Sequence, residues 1–150
     1  MISALGLDLG EKRIGIAGCD RTGLIATGLT TLERRSFAED MQQLDQIVQE
    51  RQVEVLVVGL PYRMDGSIGF QARRVQRLAQ RIAQALNLPV EYVDERLTSF
   101  EAEAMLRSQG RFSNRDKPLI DRKAAALILQ QWLEQRRLSQ PLCSIRDKYE

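Results

Sequence analysis

The first third of the chain carries three short apolar segments that predict β-strands. These segments are Ile2–Leu9, Arg13–Cys19 and Leu24–Leu32. Gly10 follows the first segment, and a threonine–glycine turn separates the second from the third. Because the connections are only a few residues long, we expect the three strands to pair as an antiparallel meander.

Helices and strands alternate in the rest of the chain. Ser36 predicts a helix start, because it can cap the first turn and Glu39 completes a capping box three residues later. The predicted elements are a helix from Ser36 to about Gln52, a central strand Val53–Gly59, a helix Ser67–Leu86, a short strand Val90–Val93, a helix from Ser99 to before Gly110, and a last helix from about Leu119 to Arg137. The apolar face of the second helix is predicted to hold Val75, Leu78, Ile82, Ala85 and Leu86.

The order of these elements, β-β-β-α-β-α-β-α-α, predicts the fold class. It indicates an α/β fold with a mixed five-stranded sheet, in which a three-strand antiparallel meander continues into parallel strands and helices cover both faces. The chain has no internal repeat and no linker rich in proline or glycine. We therefore predict a single domain over residues 1–138 and a loose C-terminal tail over residues 139–150.

Composition excludes several classes of chemistry. The chain has 150 residues, of which 43% are hydrophobic and 28% charged, a globular balance. It contains no histidine, which excludes a Ser-His-Asp triad and a histidine general base. Cys19 and Cys143 form no CxxC motif, so we expect two reduced thiols and no zinc site.

Charge is distributed unevenly along the chain. The net charge is only +2, but residues 107–123 hold six basic residues against two acidic ones, which makes this segment a candidate surface for a polyanion. No stretch of eighteen apolar residues occurs, and the first twenty residues do not resemble a signal peptide. These features favour a cytoplasmic protein that is not associated with a membrane.

Acidic residues stand at the ends of two predicted strands, and each has two interpretations. Asp8 lies between two glycines at the end of an apolar strand, where it either binds a metal or a partner, or caps the amides of the following turn. Asp94 and Glu95 follow a strand whose carboxyl end is a usual place for ligands. They also fit a solvated pair that forms an ion pair with Arg96.

Asp121 is the most informative acid. The apolar stripe of the last helix consists of Ala124, Ala125, Ile128 and Trp132, and Asp121 lies three and four residues before the two alanines. It is therefore expected on the inward face, with Trp132 in the core. A favourable interaction with the helix dipole explains an acid in the first turn but not its inward direction.

Acids at the ends of three elements suggest a metal site. Like charges brought together repel one another and raise each other's pKa unless a cation lies among them. Ligands that are all oxygen suit Mg²⁺ or Mn²⁺, and such ions can activate water and stabilise the leaving oxygen of a phosphodiester.

Four segments in chain order resemble the motifs of the bacterial YqgF family. They are GLDLGEKRIGIA, VVGLPYRMDGS, VDERLTS and IDRKAAALILQQWL. Members of this family are described as RuvC-like Holliday junction resolvases and as pre-16S rRNA nucleases. The resemblance covers about residues 2–135, and four ordered motifs are much more specific than one glycine pattern. Ser99 stands where a second threonine is common, and the segment Arg111–Lys117 matches only loosely.

The resemblance implies a ribonuclease H-like fold and a phosphodiesterase that depends on Mg²⁺ or Mn²⁺. The family's acids fall on Asp8, Glu95 and Asp121, which we interpret as catalytic metal ligands, with Asp94 as a supporting acid. The resemblance also implies processing of the 5′ end of pre-16S rRNA during ribosome biogenesis in the cytoplasm. The partners would be pre-rRNA or branched DNA and the ribosomal subunit, and the protein would be a monomer or a homodimer.

Basic residues near these acids are candidate contacts to nucleic acid. The set is Lys12, Arg13, Arg63, Arg96, Arg111, Arg115 and Lys117. The last three belong to a basic loop that carries Phe112 and leads to Asp121, and such a loop can hold a strand by charge and stacking or can be a mobile linker. The stripe Arg73, Arg77 and Arg81 on the second helix is more typical of a solvated face.

Three other functions compete with a ribosomal RNA nuclease. The first is a resolvase-like endonuclease on branched DNA, which needs a two-fold dimer to cut symmetrically. The second is a non-catalytic RNA-binding module, in which the acids have no chemical role. The third is an ATPase or sugar kinase, because LGLDLGEKRIGIA resembles the first phosphate loop of that group, although 150 residues supply only one of its two domains.

Overall fold

A computed structural model describes residues 2–62, 65–94 and 117–139, and these residues form five strands and three helices. The strands are β1 (Ala4–Leu9), β2 (Arg13–Cys19), β3 (Ala26–Glu33), β4 (Val55–Leu60) and β5 (Val90–Asp94), and the helices are α1 (Phe37–Arg51), α2 (Phe70–Leu86) and α3 (Lys117–Ser139). Their order agrees with the predicted one. The predicted helix from Ser99 to before Gly110 and the tail beyond residue 139 lie outside the described residues.

The strands form one mixed sheet in the order β3-β2-β1-β4-β5. β1, β2 and β3 pair antiparallel, as the short connections predict. β4 pairs parallel with β1, and β5 pairs parallel with β4. The predicted meander with added parallel strands is therefore confirmed, and the carboxyl ends of β1, β4 and β5 lie at one edge of the sheet.

Helices cover both faces of the sheet, and alternation along the strands divides the core in two. Leu5 and Leu7 of β1 pack on the side of α1 and α2. Ala4 of β1 and Val57 of β4 pack on the opposite side, against α3. All six residues of β4 are buried, because this strand lies inside the sheet with helices on both faces. Trp132 is buried in the α3 core, as predicted.

Local signals position the ends of the first two helices. Ser36 caps α1, and its hydroxyl oxygen accepts a hydrogen bond from the backbone nitrogen of Glu39 at 3.2 Å. Both helices end in a left-handed residue, Gln52 after α1 and Asn87 after α2. No helix among the described residues is long and apolar enough to cross a membrane.

The predicted start of α2 and one residue of its apolar face were wrong. Ser67 donates both its backbone N–H and its hydroxyl to the carboxylate of Asp65, at 2.9 and 2.7 Å, so it belongs to a turn and the helix begins at Phe70. Ala85 is exposed. The buried stripe runs through Ala72, Ala79 and Ile82, which rotates the inward face away from residue 85.

Candidate active site at the carboxyl edge of the sheet

The candidate site begins where the parallel strands end. Leu7 of β1 lies beside Val58 of β4, and Leu60 of β4 lies beside Asp94 of β5. Asp8 directly follows Leu7, so the acids of β1 and β5, the two parallel strands on either side of β4, stand at the same edge. This edge is where ligands bind in open sheets of this kind.

Alternation along β1 directs Asp8 toward α3. Leu7 and Leu9 face α1 and α2, so Asp8 shares the opposite face with Gly6. α3 crosses this face closely, since a Cβ atom on Gly6 would stand 2.8 Å from the Cβ of Leu129 and 2.9 Å from the carbonyl oxygen of Ala125. Asp8 therefore lies on the face of the sheet that α3 covers.

A glycine on β2 brings Asp121 to the same place. Gly15 is the cross-strand partner of Asp8, and such partners have Cα atoms about 4.5–5.5 Å apart. A Cβ atom on Gly15 would stand 2.0 Å from the carbonyl oxygen of Asp121. The backbone of α3 at Asp121 thus lies directly on the residue that is paired with Asp8, and no larger residue than glycine fits between them.

Arg13 holds the side chain of Asp121. The Nε atom of Arg13 donates a hydrogen bond to Oδ2 of Asp121 at 2.8 Å, and about a quarter of each side chain is exposed, 25% and 22%. The pair joins the start of β2 to the first turns of α3. It confirms the predicted inward direction of Asp121, and it gives Arg13 a protein partner where the sequence suggested a phosphate.

Further polar contacts fix α3 on the meander. The side-chain amide of Gln130 accepts from the backbone nitrogen of Ala26 and donates to the carbonyl of Leu24, each at 2.9 Å. Nearer the site, Nε of Arg122 donates to the hydroxyl of Thr31 at 3.2 Å, and that hydroxyl donates to the carbonyl of Pro118. These bonds flank Asp121 on the helix and set its height along the strands.

Several predicted site residues cannot be placed from the described part of the chain. Glu95, Arg63, Arg96, Arg111 and Arg115 lie outside it. Lys117 is the first residue of α3, but its side chain is not described. Lys12 is exposed on the connection between β1 and β2. Within residues 2–62, 65–94 and 117–139, no group of three or more acids, cysteines or histidines could hold a metal ion.

The donor chemistry of the residues that are placed fits a hard cation. Asp8 and Asp121 contribute carboxylate oxygens from β1 and α3, and Glu95 follows the end of β5 in sequence. Oxygen ligands of this kind suit Mg²⁺ or Mn²⁺. The guanidinium of Arg13 contacts Oδ2 of Asp121 and offsets part of the negative charge.

Comparison with known proteins gives the family. Residues 2–135 match the family model described as "RuvX: Holliday junction resolvase". A protein of Trichormus variabilis named "Putative pre-16S rRNA nuclease" is 71% identical over 136 residues, which is 91% of this chain and 90% of that protein. A protein of the same name from Crocosphaera subtropica is 66% identical over 138 residues, or 92% of this chain and 96% of that protein.

Solved structures confirm the fold class. RuvC of T. thermophilus in complex with Holliday junction substrate matches with a TM-score of 0.55 at 14% identity, over 91% of this chain and 96% of that chain. A second Thermus thermophilus RuvC structure matches with a TM-score of 0.53 at 15% identity, over 90% and 96%. The fold is thus the ribonuclease H-like α/β fold of RuvC. Given this fold, the match over residues 2–135 and the high identity to its relatives, the chain belongs to the RuvX family. This is the family, also called YqgF, whose motifs the sequence resembles.

Proposed function

We propose that this protein is a metal-dependent nuclease that processes the 5′ end of pre-16S rRNA. The names of relatives at 71% and 66% identity support the substrate. The observation that carries the chemistry is the approach of Asp121 to the cross-strand partner of Asp8 at the carboxyl edge of the sheet. In this proposal residues 1–138 are the nuclease domain, and the partner is pre-rRNA in the assembling ribosomal subunit of the cytoplasm.

The proposed metal ligands are Asp8, Glu95 and Asp121. These carboxylates would hold Mg²⁺ or Mn²⁺, and the chemistry supplied by such an ion would be to lower the pKa of a water and to stabilise the leaving oxygen of the phosphodiester. The chain itself would supply the carboxylates, Asp8 from β1, Asp121 from α3 and Glu95 from the position that follows β5 in sequence. Because a rigid sheet and a closely packed helix carry Asp8 and Asp121, these ligands are held in place before an ion binds.

Arg13 is the proposed positioning residue of this site. Its hydrogen bond to Oδ2 of Asp121 fixes the rotamer of that carboxylate and reduces its repulsion of Asp8. Lys12, exposed beside it, is proposed to contact a phosphate of the substrate. The remaining proposed nucleic-acid contacts are Arg63, Arg96, Arg111, Arg115 and Lys117. In sequence, Arg96 directly follows Glu95, and the last three precede Asp121.

Cleavage of branched DNA is the second candidate, and the description of the matching family model favours it. Both substrates offer a phosphodiester to the same carboxylates. A resolvase must present two sites related by a two-fold axis in order to cut a four-way junction symmetrically. A stable dimer in dilute solution would favour the junction, and a monomer would favour RNA.

The test is cleavage of a 5′-end-labelled RNA that contains the junction between leader and 16S sequence, in the presence of Mg²⁺ or Mn²⁺. We expect cleavage by the wild-type protein, and a loss of at least about 100-fold in Asp8→Asn, since a ligand matters more than the outer-shell groups whose loss costs 10–100-fold. Asp45→Asn is the matched control, because Asp45 is exposed on α1 and its carboxylate contacts only Gln49, at 3.4 Å, in the described part of the chain.

A labelled four-way DNA junction is tested in parallel, with the oligomeric state measured by sedimentation. Cleavage of the junction but not of the RNA would replace the proposed substrate with branched DNA. Equal cleavage by wild type and Asp8→Asn would show that Asp8 is not a ligand. A protein that cuts neither substrate with either ion is not the proposed nuclease.

A further inference from the structure

A groove rich in arginine lies on the face of the sheet opposite to that of Asp8. It has a volume of about 410 Å³ and opens between β1, the end of β3 and α2. Its charged side chains are Glu11, Arg34, Arg74, Arg77 and Arg81, so four cations face one carboxylate. We call these five residues and the space between them the arginine groove.

The composition of α2 is costly for the helix by itself. Its 17 residues include four arginines and no acid. Arg74, Arg77 and Arg81 follow one another at spacings of three and four, so they share a face, and like charges at these spacings destabilise a helix. Among the described residues only Glu11 forms an ion pair with one of them, Arg74, at 3.3 Å. Such a charged face is understandable if a polyanion covers it.

Contacts within the protein hold part of the groove in place. Arg34 donates to the carbonyl oxygens of Gly10 and Glu11 at 3.0 and 3.3 Å, which holds its guanidinium against the connection between β1 and β2. Arg81 lies over the ring of Phe37, 4.2 Å from its centroid. Arg77 is exposed and makes no ion pair within the described ranges, so it is available to a ligand.

The groove adjoins the candidate active site at the end of β1. Leu9 and Gly10 line the groove, and Asp8 is the residue before them, with its side chain on the other face. Consecutive Cα atoms are only 3.8 Å apart, so the groove and the site meet at this edge of the sheet. A strand bound in the groove would therefore lie at the same edge of the sheet as Asp8.

We propose that the arginine groove binds the sugar–phosphate backbone of the nucleic acid that this enzyme cuts. This inference rests on the proposed nuclease function for its ligand. Arginine presents a planar fork of donors that matches a phosphate group, and α2 contains arginine without lysine. We expect the binding to be independent of base sequence, because contacts to phosphate and sugar carry no direct sequence information.

The test measures the affinity of a fluorescein-labelled single-stranded RNA by anisotropy, in EDTA to prevent cleavage, over a range of KCl concentrations. Arg77→Gln is expected to weaken binding about fivefold and to reduce the slope of log K against log [KCl] by about 0.7, the loss of one phosphate contact. Arg73→Gln is the matched control, because Arg73 is exposed on α2 outside the groove, and we expect it to leave both quantities unchanged.

Glu11→Gln provides an arm of opposite sign. It removes the one carboxylate of the groove and releases Arg74, so binding should become tighter, which a misfolded variant cannot imitate. The same changes on a labelled four-way DNA junction would identify the shared backbone as the ligand. If Arg77→Gln and Arg73→Gln weaken binding equally, or if Arg77→Gln does not weaken it, the proposal that the arginine groove binds nucleic acid is wrong.

The outcomes separate this inference from the proposed function. If the wild type binds RNA through the groove but cuts neither substrate in Mg²⁺ or Mn²⁺, the nuclease proposal fails and the groove stands. If the wild type cuts RNA while Arg77→Gln binds it normally, the groove fails and the nuclease stands. Absence of binding to both RNA and the junction would overturn the groove.

Discussion

Asp20 illustrates how a single carboxylate organises the turn between β2 and β3. Its Oδ1 atom accepts from the backbone nitrogens of Leu24 and Ile25, at 2.9 and 2.8 Å, and its Oδ2 atom accepts from the hydroxyl of Thr22. These bonds, above all the one from Ile25, lower the pKa of Asp20 from 3.8 to about 2. The ionised form is therefore favoured by the folded protein.

Asp20→Asn should lower the free energy of unfolding at pH 7, since the amide keeps an acceptor but loses the charge. A carboxyl group whose pKa is lowered by folding stabilises the fold fully at pH values above its pKa in the unfolded chain. This contribution is lost as the pH falls through the folded pKa of about 2. The difference between wild type and Asp20→Asn should thus shrink between pH 4 and pH 2 in urea denaturation. A difference that is constant over this range, or equally large for Asp45→Asn, would contradict the prediction.

Residue-scale predictions succeeded where the signal was local. Ser36 caps α1 because its partner, Glu39, is only three residues away. The inward direction of Asp121 followed from helical spacing. Its ion pair with Arg13 was not predictable, because 108 residues separate the two and nothing in either segment indicates the other. The sequence therefore identifies Arg13 only as a candidate contact to nucleic acid.

At the scale of elements, glycines on adjacent strands let α3 lie directly on the meander. Gly6 on β1, Gly15 on β2 and Gly28 on β3 all face this helix, and a Cβ atom on each would meet Leu129, Asp121 or Arg122 within 3.2 Å. The close approach brings Asp121 to the strand level of Asp8. The alanines of α3 predicted close packing, but the matching glycines are recognisable only when the strand faces are known.

Gly15→Ala should disturb the candidate site more than an equal change elsewhere on β2. The new methyl would stand 2.0 Å from the backbone oxygen of Asp121, so the helix must shift, which we expect to cost about 1–3 kcal/mol and most of the cleavage activity. Gly18→Ala is the control, because its methyl meets the flexible end of Arg51, at 2.7 Å.

Urea denaturation and the RNA cleavage assay would measure both variants. For Gly18→Ala we expect a cost below about 1 kcal/mol and near-normal cleavage, because the Arg51 side chain can move aside. Similar losses in the two alanine variants, in either stability or cleavage, would contradict a specific role for the contact between Gly15 and Asp121.

At the scale of the whole molecule, the sheet separates the acidic candidate site on one face from the arginine groove on the other. The element order was sufficient to predict the mixed sheet and the edge at which Asp8 lies. The basic segment 107–123 suggested a polyanion surface in one place. The arginine groove instead brings Arg34 together with α2, although α1 and β4 lie between them in sequence, so it is recognisable only in the folded protein. Arg77 and Arg81, which the sequence indicates as part of a solvated helix face, both line this groove.

A divalent ion at the candidate site should stabilise the whole fold, since two of the proposed ligands belong to β1 and α3 and the third follows β5 in sequence. An ion that binds only the folded state at 100 times its Kd adds about 2.7 kcal/mol. For a chain of this length that corresponds to a rise in Tm of about 8 °C. We expect this rise for the wild type and Asp45→Asn in saturating Mg²⁺, measured by calorimetry against KCl of equal ionic strength, and its reversal by EDTA.

Asp8→Asn should lose most of this Mg²⁺-dependent rise, while its Tm without the ion should stay equal to or above that of the wild type. The reason is electrostatic, because the substitution removes one of the negative charges that a bound cation would offset and so lowers the repulsion among the proposed ligands. The measurement needs no substrate, so it tests the ligands independently of what the enzyme cuts. An equal rise in Asp8→Asn and the wild type would mean that Mg²⁺ stabilises the protein elsewhere, and Asp8 would then need another role at the edge of the sheet.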